Sequence, residues 1–90
     1  METNKVELTG YVGRIAKYQF SLCVQETVSC VNGDVIIQQT WISVKYIDAE
    51  KLSINTKVNV IGKLHTLEYV DSERNDRKCL EVIANQVNKL

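Results

Sequence analysis

Residues 57–70 read KVNVIGKLHTLEYV, and the way this stretch folds constrains everything around it. Val58, Val60 and Leu64 recur at period two, the spacing of a strand with one buried face. Gly62 lies in the middle, where a missing side chain marks a bend or a close backbone approach. A long strand bent at a glycine suits a sheet that curls onto itself better than a flat one.

Working outward, four more segments alternate in the same way. Residues 5–15 (KVELTGYVGRI) place Val6, Leu8 and Val12 on one side and Lys5, Glu7, Thr9 and Tyr11 on the other. Residues 18–29 carry Phe20, Leu22 and Val24 at period two. Val31-Asn32-Gly33-Asp34 follows, and Asn-Gly is a strong hairpin signal because both positions tolerate positive φ. Residues 35–46 return as a third strand. Residues 48–54 (DAEKLSI) alone have helix-forming composition, in a stretch too short to be stable by itself; they are expected to plug one end of a sheet. Residues 71–78 (DSERNDRK) read as a polar loop and residues 79–87 as the last strand. A short helical insert between strands three and four of five is the layout of the OB-fold, a five-stranded Greek-key barrel. An SH3-like barrel lacks that insert. Closure also removes most exposed strand edges.

Bulk properties fit one all-β domain spanning residues 1–90. A chain of this size buries roughly 60% of its unfolded surface. The 44% apolar and 24% charged composition is that of an ordinary globular protein. No apolar run reaches membrane-spanning length, and the start METNKVELTG lacks a secretory layout, so a cytoplasmic location without membrane association is expected. Cys23, Cys30 and Cys79 follow no metal-ligand spacing and read as reduced packing thiols. With a single histidine, no metal site and no cofactor are expected. Neither a nucleophile–base arrangement nor a Gly-rich phosphate loop is present, which argues against an enzyme. The 11 basic and 11 acidic side chains cancel, so any phosphate binding must come from how charge is distributed.

The one tryptophan sits in QTWISVKYI, residues 39–47. Ile42, Val44 and Tyr46 share one parity, while Trp41, Ser43, Lys45 and Ile47 share the other. The second set points an indole and an ammonium where polar residues should meet water. Such a pair suits base stacking beside a phosphate contact; a protein interface or a cap on the barrel uses the same residues.

Several segments, in order, resemble the bacterial single-stranded DNA-binding protein (SSB) family along nearly the whole chain. Asn4 to Gly13 (NKVELTGYVG) is similar to that family's opening. Phe20-Ser21-Leu22-Cys23-Val24, Trp41-Ile42-Ser43-Val44, the VNVIGKL run of strand four and Glu81-Val82-Ile83-Ala84 resemble its later strands. The related primosomal replication protein N family shares the same barrel. The resemblance implies sequence-independent single-stranded DNA binding in replication, repair or recombination by a homotetramer or dimer. It also implies that Tyr69 stands where the family stacks a tryptophan. Glu26-Thr27-Val28 and Ile47 stand where the family often has aromatics, so stacking capacity is reduced. No acidic tail follows Leu90, so tail-mediated recruitment of partners is not expected.

The candidate binding residues are therefore Trp41 and Tyr69 as stackers, with Tyr11 outward on strand one. Lys45 and Lys63 share Trp41's outward parity, and His65 joins them on strand four. Arg14 and Lys17 flank the first turn, and Arg74, Arg77 and Lys78 lie in the strand 4–5 loop. Phe20 and Tyr46 have inward parity, and Tyr18 has no assignment. Stacking does not distinguish DNA from RNA. The rival reading is a protein-interaction or primosome-type adaptor with weak or no nucleic-acid binding.

Overall fold

The computed structural model describes residues 2–29, 33 and 35–90, the side chains of residues 28 and 29 apart. Strands β1 (Val6–Ala16), β2 (Gln19–Ser29), β3 (Val35–Lys45), β4 (Lys57–Val70) and β5 (Asp76–Lys89) close into a barrel in the order β1-β2-β3-β5-β4. Neighbours are antiparallel except β3 and β5, which meet in parallel through Val44↔Val82 and Lys45↔Ile83. This is the expected five-stranded OB barrel. The expected hairpin turn at residues 31–34 lies outside the described residues except for Gly33, whose φ is +79°. Cys30 also lies outside them.

Period two explains the core. Val12, Phe20, Leu22, Val44, Val58, Val60 and Val82 are all essentially buried and come from the inward parity of all five strands. Tyr46 is half-buried and meets Phe20 edge to face, with centroids 6.4 Å apart. Gly62 performs the closure anticipated for it. The β4–β5 ladder shifts register between Ile61 and Gly62, and a Cβ on Gly62 would strike the Ile83 carbonyl oxygen. Those atoms are backbone on both sides, so a side chain there has no room to escape.

The helix-forming stretch 48–54 yields only a single 3-10 turn, Ala49–Lys51. It is too short to nucleate an α-helix, yet it still acts as a plug: Ala49 and Leu52 are buried in the core.

β5 corrects the reading of the polar loop. It begins at Asp76, so Arg77 and Lys78 are strand residues opposite Tyr69 and Glu68, and only the turn ahead of them is irregular. The ladder overrides composition here because both faces of this segment are solvated, leaving no apolar alternation to read. Arg74 remains in the turn with φ of 64°.

Two hairpin arms extend past the barrel. Residues 35–41 of β3 are exposed throughout, paired only with β2. Residues 63–66 and 68–70 of β4 are likewise exposed, paired with β5. β3 and β5 run parallel and both arms are built on their N-terminal halves, so the arms leave the same end of the barrel.

Candidate nucleic-acid interface

Register, more than sequence spacing, assembles the site. Lys57 pairs with Tyr11, Tyr11 with Cys23, and Cys23 with Trp41. These four residues form one outward row across β4, β1, β2 and β3. Tyr11 and Trp41 are exposed, 44% and 59%, while Cys23 between them is only 5% exposed. The two rings thus rise either side of a small buried thiol, two strand spacings or roughly 9–10 Å apart at the backbone.

Trp41 leans across β2 toward β1. A Cβ on Gly13 would lie 2.6 Å from the indole Cζ3 and 2.7 Å from Ser21 Oγ. The bare backbone of Gly13 is therefore a seat for the ring. Gly13 is available because β1 shifts register between Val12 and Ile15. Ser21 Oγ is itself fixed by accepting the Arg14 N–H at 2.8 Å.

The surrounding groove, about 450 Å³, is lined by Tyr11, Val12, Gly13, Cys23, Gln25, Gln39, Trp41 and Asn55. None of these is acidic, and Arg14 and Lys57 are exposed beside it. A chain with zero net charge thereby presents a groove with no carboxylate on its lining and two cations beside it. Gln25, Gln39 and Asn55 add amides at its edge. Asn55 has φ of 69° and is held by donating its N–H to the Val12 carbonyl at 2.7 Å. Sequence reasoning missed Gly13, Cys23, Gln25, Gln39, Asn55 and Lys57 as parts of this surface. Gln25 and Gln39 share outward parity with Trp41 and could have been found; Asn55 carries no such signal.

The other candidate residues divide. Lys45 lies two rungs beyond Trp41 on β3, but its Nζ is 3.2 Å from Glu81 Oε1, a carboxylate only 2% exposed. His65 Nε2 is 3.8 Å from the same oxygen. Lys45, a candidate phosphate contact, is thus already engaged: its charge compensates a buried anion first. Lys63 is exposed and has no ion-pair partner among the described residues, but it lies across β5 from Lys45, away from the Trp41 row. Lys17 sits with its Nζ 5.4 Å from the centre of the Tyr18 ring.

Tyr69 is exposed on the β4–β5 arm, six residues or roughly 20 Å along β4 from Lys63. Arg77, opposite it, donates from Nε to Asp71 Oδ2 at 2.9 Å. Asp71 Oδ1 accepts the N–H groups of Glu73 and Asn75, each at 2.9 Å. The Arg77 guanidinium, then the Asn75 N–H, hold the Asp71 carboxyl below the usual carboxylate range. Lys78 Nζ is 3.6 Å from Glu68. Tyr69, Arg74, Arg77 and Lys78 thus form a second, largely self-neutralised group on an arm. Arg77 and Lys78, expected in a loop, reach it from a strand.

No protein-family model matches the chain, and no curated protein matches it. Solved structures do. A Plasmodium falciparum SSB in complex with ssDNA superposes with a TM-score of 0.82 at 21% identity, covering 100% of this chain and 97% of that one. A small single-stranded DNA-binding protein from Streptomyces coelicolor gives 0.69 at 15% identity, covering 100% and 96%. A deletion mutant of the single-stranded DNA binding protein from Thermus aquaticus gives 0.76 at 18% identity, covering 98% of this chain and 50% of that one. The barrel described above is the fold of these single-stranded DNA-binding proteins.

Proposed function

We infer that this chain binds single-stranded DNA without sequence preference, stacking bases on Trp41 and Tyr11. The observation that carries the reading is the outward row Lys57–Tyr11–Cys23–Trp41. It puts two exposed rings and a cation beside a groove whose lining has no acidic residue. The fold shared with an SSB solved in complex with ssDNA supports it. Arg14 and Lys57 are placed to meet phosphates; Lys63, Tyr69 and Arg74 would extend contact if the strand continues along β4.

Two stacked bases contribute about 2–6 kcal/mol, which puts a single barrel in the range of micromolar affinity or weaker. Several barrels on one strand gain by effective concentration, so a dimer or tetramer serving replication, repair or recombination suits the energetics. Light scattering on the free protein tests the assembly.

Because Trp41 is the sole tryptophan, its fluorescence reports the site directly. Titration with poly(dT) at low salt is expected to quench it, and added salt to reverse the quenching. A strand that binds without quenching, or no binding at low salt, overturns this reading. One observation favours a second: Val35, Ile36 and Ile37 on the β2–β3 arm are 46–65% exposed. An adaptor protein would use such an apolar edge to dock a protein partner, and its DNA titration would be flat at every salt concentration.

A further inference from the structure

Glu81 is the one buried charged side chain among the described residues, and it lies where the barrel shuts. It precedes Val82 on β5, whose parallel pairing with Val44 begins the short β3–β5 seam. Its Oε1 is buried and accepts no hydrogen bond from the described residues. Two groups reach that oxygen from different strands. Lys45 Nζ on β3 is 3.2 Å away and His65 Nε2 on β4 is 3.8 Å away, and each of these side chains is 44% exposed. A buried acceptor left without a hydrogen bond destabilises the fold, a charged one most of all. One oxygen thus stands between two donors and is hydrogen-bonded to neither.

The two donors are not equivalent. His65 lies directly opposite Glu81 in the β4–β5 ladder, so register fixes its ring beside the carboxylate. Its Nε2 needs to advance by only about 1 Å to reach hydrogen-bond distance. Lys45 arrives across the seam on a flexible stem that ends in a strongly hydrated charge. It gives up no hydrogen bond to Oε1 on leaving. The balance turns on the imidazole, whose kind of side chain changes charge near neutral pH while lysines and ordinary carboxylates do not. A neutral His65 leaves Lys45 as the counter-ion. A protonated one brings a second positive charge to the same oxygen, and the like charges repel.

The surrounding groups favour the same outcome. Lys63, two residues before His65 on the same side of β4, is exposed and has no ion-pair partner among the described residues. Lys5, ahead of β1, is exposed, as is Cys79, two residues before Glu81 on β5. β3 carries no titratable side chain besides Lys45. The other carboxylates of these strands are engaged or distant: Glu7 Oε1 accepts from Asn59 Nδ2 at 3.2 Å, Glu68 pairs with Lys78 at 3.6 Å, and Asp76 lies with Tyr69 and Arg77 at the far end of the arm. Lys57 and Lys89 lie at the opposite end. A displaced Lys45 therefore meets no second carboxylate.

We propose that His65 is a proton-operated release for Lys45. On taking one proton from solvent, the imidazolium donates from Nε2 to Glu81 Oε1, and the Lys45 ammonium is freed to meet a phosphate of the strand stacked on Trp41. Lys45 shares Trp41's side of β3, four residues or roughly 13 Å along. Acidification from about pH 8 to about pH 6 thereby adds one cation to the binding face. What the freed lysine then meets rests on the stacking reading above; the exchange at Glu81 does not.

The exchange is tested first on the DNA-free chain. In urea denaturation, Lys45→Met is expected to lower the midpoint less at about pH 6 than at about pH 8, because the imidazolium replaces the missing ammonium. In a His65→Gln background the loss from Lys45→Met should be equal at both. The second arm is poly(dT) titration of the same chain, read by Trp41 quenching. Between those pH values wild type is expected to gain about 5-fold in affinity at about 0.1 M salt, and its log–log salt slope to steepen by about 0.7, the mark of one added phosphate contact. His65→Gln, which removes the only histidine, should bind alike at both. Glu81→Gln, with no anion to hold Lys45, should bind at about pH 8 as wild type does at about pH 6. A midpoint loss equal at both pH values, or an acid relief that persists without His65, refutes the release while base stacking stands. Relief with an unchanged affinity and salt slope refutes the delivery of Lys45 to phosphate. Relief with no quenching at either pH overturns both that delivery and the stacking reading, and leaves the exchange at Glu81 in place.

Discussion

Gly13→Ala is the most informative small change this barrel offers. The new methyl would sit 2.6 Å from Trp41 Cζ3 and 2.7 Å from Ser21 Oγ. Carbon atoms pack at about 3.5–4.0 Å, so the indole must retreat by about 1 Å. It can do so cheaply, because it is an exposed side chain with solvent on its far side. The effect on folding is small and of two signs. Alanine restricts the unfolded chain, which is worth about 0.4–1 kcal/mol. Disturbing Ser21 weakens the exposed Arg14 N–H bond to its hydroxyl, worth about 0.5–1.5 kcal/mol at most. Stability should therefore change by less than about 1 kcal/mol. Binding behaves differently. A radial gap of 0.5–1 Å forfeits about a quarter to a half of a contact's attraction. Applied to a stack worth about 1–3 kcal/mol, that is about 0.3–1.5 kcal/mol, or roughly 2- to 12-fold in affinity. Trp41→Ala, which removes the ring altogether, should cost roughly 5- to 150-fold. Urea denaturation and dT titrations on the three proteins check the ordering. Should Gly13→Ala bind as tightly as wild type while Trp41→Ala is impaired, the seat on the Gly13 backbone does not position the stacking ring.

Four further expectations follow from the same coordinates. Lys45→Met leaves the buried Glu81 with only His65 at 3.8 Å and should destabilise by about 1–3 kcal/mol, less than a fully buried pair because Lys45 is half-exposed; adding Glu81→Gln should restore most of the loss in a denaturation cycle. Gly62→Ala drives a Cβ into the Ile83 carbonyl and to 2.9 Å from Ala84 Cα, and should lower stability by about 1–3 kcal/mol or more, read from the urea midpoint. Two phosphate contacts, from Arg14 and Lys57, would give a log–log salt slope of about −1.4 at roughly 0.7 per contact, so affinity should fall about 7-fold between about 50 and 200 mM salt; a slope near zero refutes the assignment of those cations. The Asp71 carboxyl is lowered, so its hydrogen bonds stabilise the β4–β5 turn above its unfolded titration range and are lost as pH falls through the lowered value; the Glu73 and Asn75 amide resonances should shift together in an acid titration and stay in place at neutral pH.

Much of the barrel was legible because its core side chains obey one rule. Val58, Val60 and Gly62 in β4, and Phe20 and Leu22 in β2, alternate cleanly because one face of each strand is buried. The same rule fails where both faces are wet: residues 76–78 pair as strand although their polar composition reads as loop. The site was half legible. Parity exposed Trp41 and Tyr11, but nothing in the linear sequence places them in one row, because that depends on the register of two ladders, β1–β2 and β2–β3. Gly13 as the seat of the indole is invisible for the same reason. Parity alone does not show that Lys45 is ion-paired, because its partner, Glu81, comes from a strand that pairs with β3 only at the barrel closure. Outward parity suggests a solvated Glu81, and only the packing of Lys45 and His65 over it shows otherwise.

Photochemical crosslinking of a bromouracil-substituted single strand to the whole chain, followed by mass-spectrometric mapping, addresses base stacking most directly, because adducts form where a base lies against a side chain. Adducts on Trp41 and Tyr11, lost when unlabelled poly(dT) competes, are the predicted result. Adducts confined to the β4–β5 arm around Tyr69, or none on either ring of the Lys57–Tyr11–Cys23–Trp41 row, would contradict it.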